Sequence, residues 1–145
     1  MGNISEDIRS SFASNKVKAL INIKYTAGWI NSKETELFKS FDISPQQYNI
    51  LRILRGAAKP MQVQTVKDRM IERAPNATRL MDKLCDKKLI NRVRCEEDRR
   101  VVFVEITDTG LQILKQIDDK GVPDFLQKIT EEEAKIISDI LDKIR

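Results

Sequence analysis

The sequence predicts a mainly α-helical fold with a small β-hairpin, and three observations support this. Apolar residues recur at helical spacing along most of the 145 residues, and glycine and proline are few. Two short runs rich in β-branched residues, 89–95 and 101–106, are separated by a charged segment, as in a hairpin. A basic helix, predicted from Pro75 to Lys88, comes directly before them. A helix that could enter a DNA groove, followed by an arginine-tipped hairpin, is the order of elements in a winged helix-turn-helix.

The helices at the two ends of the chain are predicted from caps and apolar spacing. The first covers about Ser11–Gly28, and Asn31 with Glu34 is predicted to cap a second helix. Thr107 is predicted to cap the helix after the hairpin, and Thr130–Glu133 matches a capping box that opens the last helix. These terminal helices carry more apolar surface than one copy of the chain can cover, which predicts pairing with a second copy.

The helices between these ends have clear start signals. Ser44 is placed as an N-cap, Pro45 occupies the first helical position, and Gln47 completes a capping box. Gly56 is predicted to end the helix that they open. A short helix over about 62–70 follows, so that a helix-turn-helix leads into the basic helix and the hairpin.

The excess of positive charge is confined to one region of the chain. The sequence has 26 Lys and Arg against 22 Asp and Glu. The segment Lys67–Arg100 holds eleven of the basic and seven of the acidic residues, so it contains the whole excess of four. Such a concentration is expected of a surface that binds phosphates. A charged face that is simply solvated fits the charge equally well, but the helix-plus-hairpin order favours DNA.

Residue types that most catalytic and metal sites need are absent. The chain has no histidine, no glycine-rich phosphate loop and only two cysteines, Cys85 and Cys95, so no zinc-site spacing occurs. We therefore expect neither an enzyme nor a bound metal or cofactor. No apolar run approaches the ~18 residues of a membrane span, and no secretory stretch is present. We expect a cytoplasmic protein with reduced thiols and no membrane partner.

Three segments of the sequence are similar to segments of a known family. They are QQYNILRIL at 46–54, ATRLMDKL at 77–84, and 98–110, in which Asp-Arg-Arg is followed by a strand and by Thr-Asp-Thr-Gly. Together they resemble the MarR family of bacterial winged-helix transcriptional regulators. The third is the most specific, because Asp-x-Arg, a strand and Thr-x-x-Gly form the wing signature of that family. The turn at 68–74 departs from the family pattern, in which it is often shorter and more aliphatic.

The resemblance implies an obligate homodimer in which the first and last helices of two copies intertwine. It implies that 1–43 and 107–145 form a helical dimerisation region and that 44–106 form a winged-helix DNA-binding lobe. The two reading helices would then lie about one DNA turn apart, as a pseudo-palindromic double-stranded operator requires. We therefore expect a sequence-specific regulator, a repressor that a small ligand releases from its operator.

The predicted reading helix offers five candidate DNA contacts. No capping side chain precedes Pro75, so the first N–H groups of the helix are expected to be free for a phosphate. Asn76, Thr78 and Arg79 lie in the first turn, where side chains can reach base edges, and Arg pairs with guanine and Asn with adenine. Ordinary helix-start chemistry is the alternative for Asn76 and Thr78. Lys83 lies further along and is expected to contact phosphates.

The hairpin tip offers three more candidates. Arg100 is predicted to enter the minor groove, and the resemblance implies that Asp98 fixes its guanidinium. Arg99 is predicted to contact the DNA backbone. A solvated hairpin tip is the alternative, because charged turns are common.

Four aromatic residues define a candidate effector pocket. Tyr25, Trp29, Phe38 and Phe41 lie in the two predicted N-terminal helices, where the resemblance implies a ligand pocket beside the DNA-binding lobe. An aromatic lining suits a small aromatic or anionic effector. Packing in the core is the alternative and the commoner role of such residues.

Two other functions remain open. A winged helix can serve as a protein-interaction module, in which case DNA affinity is weak and not strongly salt-dependent. A thiol-based redox regulator on the same scaffold would use Cys85 or Cys95. Some members of the family sense peroxides through a cysteine in the first helix, and this chain has none there. Packing is therefore the predicted role of both cysteines.

Overall fold

The computed structural model describes residues 2–145. This part of the chain contains seven helices and three short strands. The helices are α1 Ile4–Asp7, α2 Asn15–Lys39, α3 Pro45–Ala57, α4 Val63–Arg69, α5 Ala77–Asp86, α6 Asp108–Asp118 and α7 Glu131–Ile144. The strands are β1 Met61–Gln62, β2 Ile90–Arg94 and β3 Val102–Ile106. The predicted fold class, mainly α-helical with a hairpin wing, is confirmed. None of the described helices is both long and apolar enough to cross a membrane.

The start of α3 shows how a local sequence signal positions a distant element. The Ser44 hydroxyl accepts a hydrogen bond from the Gln47 amide at 3.1 Å, and the Gln47 side chain accepts one from the Ser44 amide at 3.0 Å. The predicted capping box is therefore present. Gln47 is also buried, and its Nε2 donates to the Leu80 carbonyl oxygen at 3.4 Å. One side chain thus caps α3 and contacts α5.

The three strands form one antiparallel sheet in the order β1-β3-β2. In the hairpin, Ile90 pairs with Ile106 and Arg94 pairs with Val102, so the predicted hairpin is confirmed. The two residues of β1 add a third strand at the far edge of β3. The sequence did not predict β1, because two residues are too short to show the alternation of a strand.

The hydrophobic core lies between α3, α4, α5, α6 and the sheet. Its largest fully buried side chains come from these elements alone: Ile50, Leu51, Leu54, Val66, Met81, Leu84, Ile90, Val104 and Leu114. The long helix α2 contributes only Phe38 to the buried residues, and α7 contributes none. The core therefore holds the helix-turn-helix and the hairpin together and leaves most of α2 and all of α7 outside it.

The prediction of two N-terminal helices separated near Gly28 was wrong. A single helix, α2, runs through this position and also through Asn31, which therefore caps nothing. Its N-cap is Ser14, whose hydroxyl accepts a hydrogen bond from the Val17 amide at 3.2 Å. One glycine inside a helix costs only about 1 kcal/mol, which the turns on either side offset. The short helix α1 was not predicted.

Two further boundaries differ from the prediction. Gly56 lies inside α3, which ends one residue later and is followed by Ala58 in the left-handed region. The reading helix α5 begins at Ala77, so the predicted start at Pro75 was wrong by two residues. The Ala77 amide donates to the carbonyl of Ala74 at 3.0 Å, a turn that keeps Pro75 outside the helix.

The end of the hairpin and the start of α6 meet the end of α5 in a tight junction. The Thr107 hydroxyl accepts a hydrogen bond from the Gly110 amide at 3.1 Å, which confirms the predicted cap, and donates one to the Lys88 carbonyl at 2.7 Å. The Thr107 amide donates to the Leu89 carbonyl at 3.0 Å. A Cβ atom at position 110 would lie 2.4 Å from that carbonyl oxygen. Only glycine therefore fits where α6 crosses Leu89.

The last helix is capped but not packed. The Thr130 hydroxyl accepts a hydrogen bond from the Glu133 amide at 3.2 Å, and the Glu133 carboxylate accepts one from the Thr130 amide at 2.8 Å. The predicted capping box is therefore confirmed. These hydrogen bonds to Thr130 lower the pKa of Glu133. Four isoleucines of α7, at 136, 137, 140 and 144, are largely exposed.

We expect Gly110→Ala to lower the free energy of unfolding by about 1–3 kcal/mol, because the added methyl group overpacks the junction. Gly56→Ala is the matched control. No atom lies within 4 Å of a Cβ at position 56, so the same change inside α3 should stabilise the fold by about 0.5–1 kcal/mol. Urea unfolding of both variants measures the difference, and equal effects would contradict the close approach to Leu89.

Candidate DNA interface

The helix-turn-helix exposes one face of α5 and buries the other. Four residues of α5 pack into the core: Ala77, Leu80, Met81 and Leu84. All five predicted contact residues are exposed: Pro75, Asn76, Thr78, Arg79 and Lys83. Pro75 and Asn76 belong to the turn before α5, and the other three belong to the helix itself. The structure therefore brings all five to the solvent side of one segment.

The N-terminus of α5 lacks a side-chain cap. Asn76 occupies the N-cap position, but its side chain makes no capping hydrogen bond. The amides of Thr78 and Arg79 lie in the first turn of α5. The first N–H groups of a helix have no acceptor within the helix, and here no side chain supplies one. Together with the helix dipole, such amides favour an anion at this end of the helix.

The hairpin tip places Asp98 and Arg100 in contact. The Asp98 carboxylate accepts a hydrogen bond from the Arg100 amide at 3.0 Å, and the same oxygen lies 3.6 Å from Nε of the Arg100 side chain. The rest of that side chain points away, because Arg100 remains 94% exposed. Arg99 is also exposed. Asp98 therefore fixes the backbone and the base of the arginine while leaving its outer N–H groups free.

Two ion pairs that were not predicted from the sequence hold α5 in place. Arg92 on β2 contacts Asp82 on α5, and Lys87 at the end of α5 lies 3.2 Å from the carboxylate of Asp42. Both pairs join different elements, ten residues apart in the first and 45 in the second, and the only signal of either in the sequence was the local excess of basic residues. They fix α5 to the hairpin on one side and to the segment after α2 on the other.

A cavity of about 810 Å³ lies between α2, the start of α3 and the segment that follows α6. Of the four predicted pocket residues, Trp29 and Phe38 line it. Tyr25 lies outside it on an exposed part of α2, and Phe41 lies outside it beneath Lys120, whose Nζ is 5.6 Å from the ring centre.

The remaining aromatic walls come from residues that the sequence did not single out. Tyr48 stacks on Phe38 with ring centres 4.3 Å apart, and Phe125 meets Trp29 edge to face at 5.2 Å. Both also line the cavity. No periodicity marks either residue as a partner of α2, because Phe125 lies in an irregular segment and Tyr48 belongs to another helix.

The charged lining of the cavity is mixed. Its basic residues are Lys33, Arg52, Lys120 and Lys128, and its acidic residues are Glu34, Asp118 and Asp124. Asp118 is paired with Arg55 at 2.6 Å and lies 3.7 Å from Arg52. Burial raises the pKa of Glu34, and the nearby Glu72 raises it further. Both effects disfavour the charged form of Glu34 in the lining.

The two cysteines lie on different elements. Cys85 is half-buried on α5 and packs against the core, and burial followed by the charge of Asp86 raises its pKa. A raised pKa reduces the thiolate fraction at neutral pH, which makes this thiol less reactive. Cys95 is half-buried at the end of β2.

An exposed reading helix, its preceding turn and an arginine-tipped hairpin define a winged-helix regulator of transcription. The profile of the family described as transcriptional regulator SarA/Rot matches residues 33–117 of this chain. The crystal structure of a MarR transcription factor from Planctomyces limnophilus is 34% identical, covers 92% of this chain and 95% of its own, and has a TM-score of 0.66. The chain therefore belongs to the MarR family of transcriptional regulators and matches its SarA/Rot members. These proteins are regulators, not enzymes.

Two further comparisons agree with this assignment. An uncharacterized HTH-type transcriptional regulator of Bacillus subtilis, YpoP, is 27% identical over 71% of this chain and 74% of its own length. Mutant MarR from E. coli, solved in complex with operator DNA, shares the fold with a TM-score of 0.76. Its identity is 23%, and the similarity covers 92% of this chain and 99% of that one.

If Arg79 reads a base and Lys83 contacts phosphate, the alanine variant of the first should change sequence preference and that of the second should change salt dependence. Arg79→Ala should cost about 1–3 kcal/mol on a preferred duplex and relax the choice of base there. Lys83→Ala should weaken binding to all duplexes alike and lower the slope of affinity against salt by about one. Gel-shift titrations on preferred and scrambled duplexes separate the two effects. The same behaviour in both variants would refute base reading by Arg79.

At the wing, Asp98→Ala and Arg100→Ala should both weaken DNA binding, but not additively. Residues that share one contact are typically coupled by about 0.5–3 kcal/mol. The double variant should therefore bind no worse than Arg100→Ala alone, and its melting temperature should change little because the tip is exposed. Full affinity in Arg100→Ala would show that Arg100 makes no contact with DNA, and strictly additive losses would show that Asp98 acts elsewhere.

Proposed function

We propose that this chain acts as a cytoplasmic homodimeric repressor that binds a pseudo-palindromic operator and is released from it by a small ligand. The observation that carries the proposal is the exposed, uncapped start of α5 beside the arginine-tipped wing. The related fold of E. coli MarR, solved with operator DNA, supports assigning this face to double-stranded DNA.

On this proposal each contact residue has a distinct role. Arg79 pairs with a guanine and Asn76 with an adenine in the major groove, where their bidentate geometries fit those base edges. Thr78 and the free amides of the first turn hold a phosphate, and Lys83 neutralises another along the same strand. Arg100 enters the adjacent minor groove, which attracts arginine where it is narrow.

The exposed apolar faces of the terminal helices support the homodimer. On α2 the exposed residues Val17 and Leu20 lie on consecutive positions of one face, and on α7 Ile136, Ile140 and Ile144 recur one turn apart. Exposed isoleucine stripes of this kind mark an interaction surface rather than a solvated one. A second copy that places its own α2 and α7 against these stripes would cover them in both copies at once.

The cavity supports control by a small aromatic or anionic ligand. Trp29 and Phe125 offer apolar walls, while Lys120 and Lys128 offer positive charge at the rim. One wall belongs to α2, in the proposed dimer region, and another belongs to the start of α3. Because Gln47 of α3 donates to the Leu80 carbonyl of α5, a ligand that moves the start of α3 would also move the reading helix.

Selection of preferred sites from a random duplex library tests the DNA-binding proposal. We expect the selected duplexes to share two inverted half-sites about one helical turn apart. Affinity for them should fall steeply with added salt, as phosphate contacts require. Weak binding with little salt dependence would instead support a protein-interaction module. Loss of binding after mild oxidation, absent from a variant without cysteines, would support the redox alternative.

The chain contains a single tryptophan, Trp29, so its fluorescence reports on the cavity alone. Titration with salicylate and with salicylamide, its neutral counterpart of the same size, tests whether an aromatic ligand must also carry a negative charge. Quenching by salicylate together with release of the duplex would support the proposed control. Quenching without release would show a cavity that binds but does not regulate.

We expect light scattering to give a mass about twice 16.7 kDa at micromolar concentration. Ile140→Glu should yield a monomer, because it places a charge in the middle of the α7 stripe. Ile71→Glu is the matched control, since Ile71 is 88% exposed in the turn before α5 and lies on neither terminal helix. A monomeric wild-type chain, or the same mass for all three proteins, would contradict the proposed interface.

A further inference from the structure

The ion pair between Arg92 of β2 and Asp82 of α5 lies where the inner face of the strand meets the helix. Arg92 lies on the same face of β2 as Ile90, which is fully buried, so this face of the strand turns toward the core and toward α5. There Arg92 contacts the Asp82 carboxylate. One oxygen of that carboxylate, Oδ1, is buried, although about half of each side chain is exposed.

Arg79 is a second cation placed to reach Asp82. Arg79 lies three residues earlier on α5, and side chains three positions apart on a helix are neighbours. In residues 2–145, none of the ion pairs involves Arg79. Arg92 therefore holds the acidic group that would otherwise be the nearest partner for Arg79.

We propose that Arg92 is a positioning residue for DNA binding, which keeps Asp82 on the hairpin side of α5 and so leaves Arg79 free to contact DNA. The inference rests on the proposed function, because it needs α5 to be the reading helix. Without Arg92, the Asp82 carboxylate would pair with Arg79 and would present a negative charge beside the phosphates. Both consequences weaken binding through Asp82, and not through the loss of the Arg92 charge itself.

The test compares Arg92→Gln, Asp82→Asn and the double variant on a duplex that the wild-type chain selects from a random library. Arg92→Gln should bind about tenfold more weakly, in the range of measured couplings between contacting residues. Asp82→Asn should bind at least as tightly as the wild type. The double variant should recover the affinity of Asp82→Asn, because an asparagine needs no cation and does not capture Arg79. A double variant as weak as Arg92→Gln would overturn the inference.

Arg94→Gln is the matched control. Arg94 lies two residues further on the same strand face, is exposed, and takes part in none of the ion pairs of residues 2–145. This change removes the same charge without releasing Asp82, so any loss should be smaller and should not be recovered by Asp82→Asn. Equal losses in Arg92→Gln and Arg94→Gln, both unaffected by Asp82→Asn, would show a simple charge effect instead.

A second comparison tests the capture of Arg79 directly. Arg79→Ala should weaken binding strongly in the wild type but only slightly in Arg92→Gln, where Arg79 is already engaged. Additive losses would overturn the inference. Arg92→Lys keeps the positive charge and should retain most of the affinity, whereas weak binding by a folded Arg92→Lys would mean that Asp82 needs the arginine geometry and is not held by charge alone.

Folding is measured alongside binding, because Arg92→Gln leaves a buried carboxylate oxygen without its cation. If that variant does not fold, the double variant still decides the question, since its affinity must match that of Asp82→Asn. A wild-type chain that binds no duplex would refute the proposed function and the inference together. Wild-type binding with an unrestored double variant would refute the inference alone.

Discussion

The carbonyl oxygen of Leu89 is the point on which the geometry of helix and hairpin depends. Leu89 directly precedes β2, and the amide of Thr107, which directly follows β3, donates to this oxygen. This hydrogen bond closes the hairpin at its base, and the Leu89 amide donates to the Leu84 carbonyl of α5 at 3.0 Å, which attaches the hairpin to the predicted reading helix. Gly110 lets α6 cross this carbonyl, and Lys88, with a φ of 61°, turns the chain from helix into strand. The orientation of the wing is set here, while the tip keeps its own local structure.

Acidic groups around the reading helix are neutralised within the chain. Asp82 contacts Arg92, Asp98 contacts Arg100, and Asp42 contacts Lys87. In each case the carboxylate is held by a neighbouring cation, and in the first two that cation belongs to the hairpin. Each pair is neutral in sum, so the pairs leave the net charge unchanged, and Arg79 and Lys83, which take part in none of the ion pairs of residues 2–145, present positive charge to a phosphate. Position, and not composition alone, produces the basic face.

The sequence predicted most where the determining contacts are local. The caps at Ser44, Thr107 and Thr130 depend on residues three positions away, and all three are present. Glycine was less informative, because Gly28 and Gly56 both lie inside helices that packing and neighbouring turns maintain. Whether a glycine ends a helix depends on what the following residues can do, and a single position does not show this.

Contacts between distant segments could not be read from the sequence. The cavity is built from Phe38 of α2, Tyr48 of α3 and Phe125 beyond α6, and only the first of these stood out in the sequence. In the same way, Arg92 gave no sign of its pairing with Asp82, because the register between strand and helix is set by the core between them. The exposed face of α5 and the hairpin tip could be placed from the sequence because they occupy one continuous segment with a specific motif, and their contacts with DNA stay a prediction.

The exposed last helix has a consequence for the amount of protein that a cell must keep. Isolated helices shorter than about 12–15 residues are marginal in water, and the 14 residues of α7 bury no side chain in the single chain. In the proposed homodimer the order of this helix would depend on the partner copy, so that dilution would both separate the subunits and melt the ends that join them. A regulator built in this way would lose the order of its last helix and its partner in the same step, so its activity would depend steeply on its own concentration.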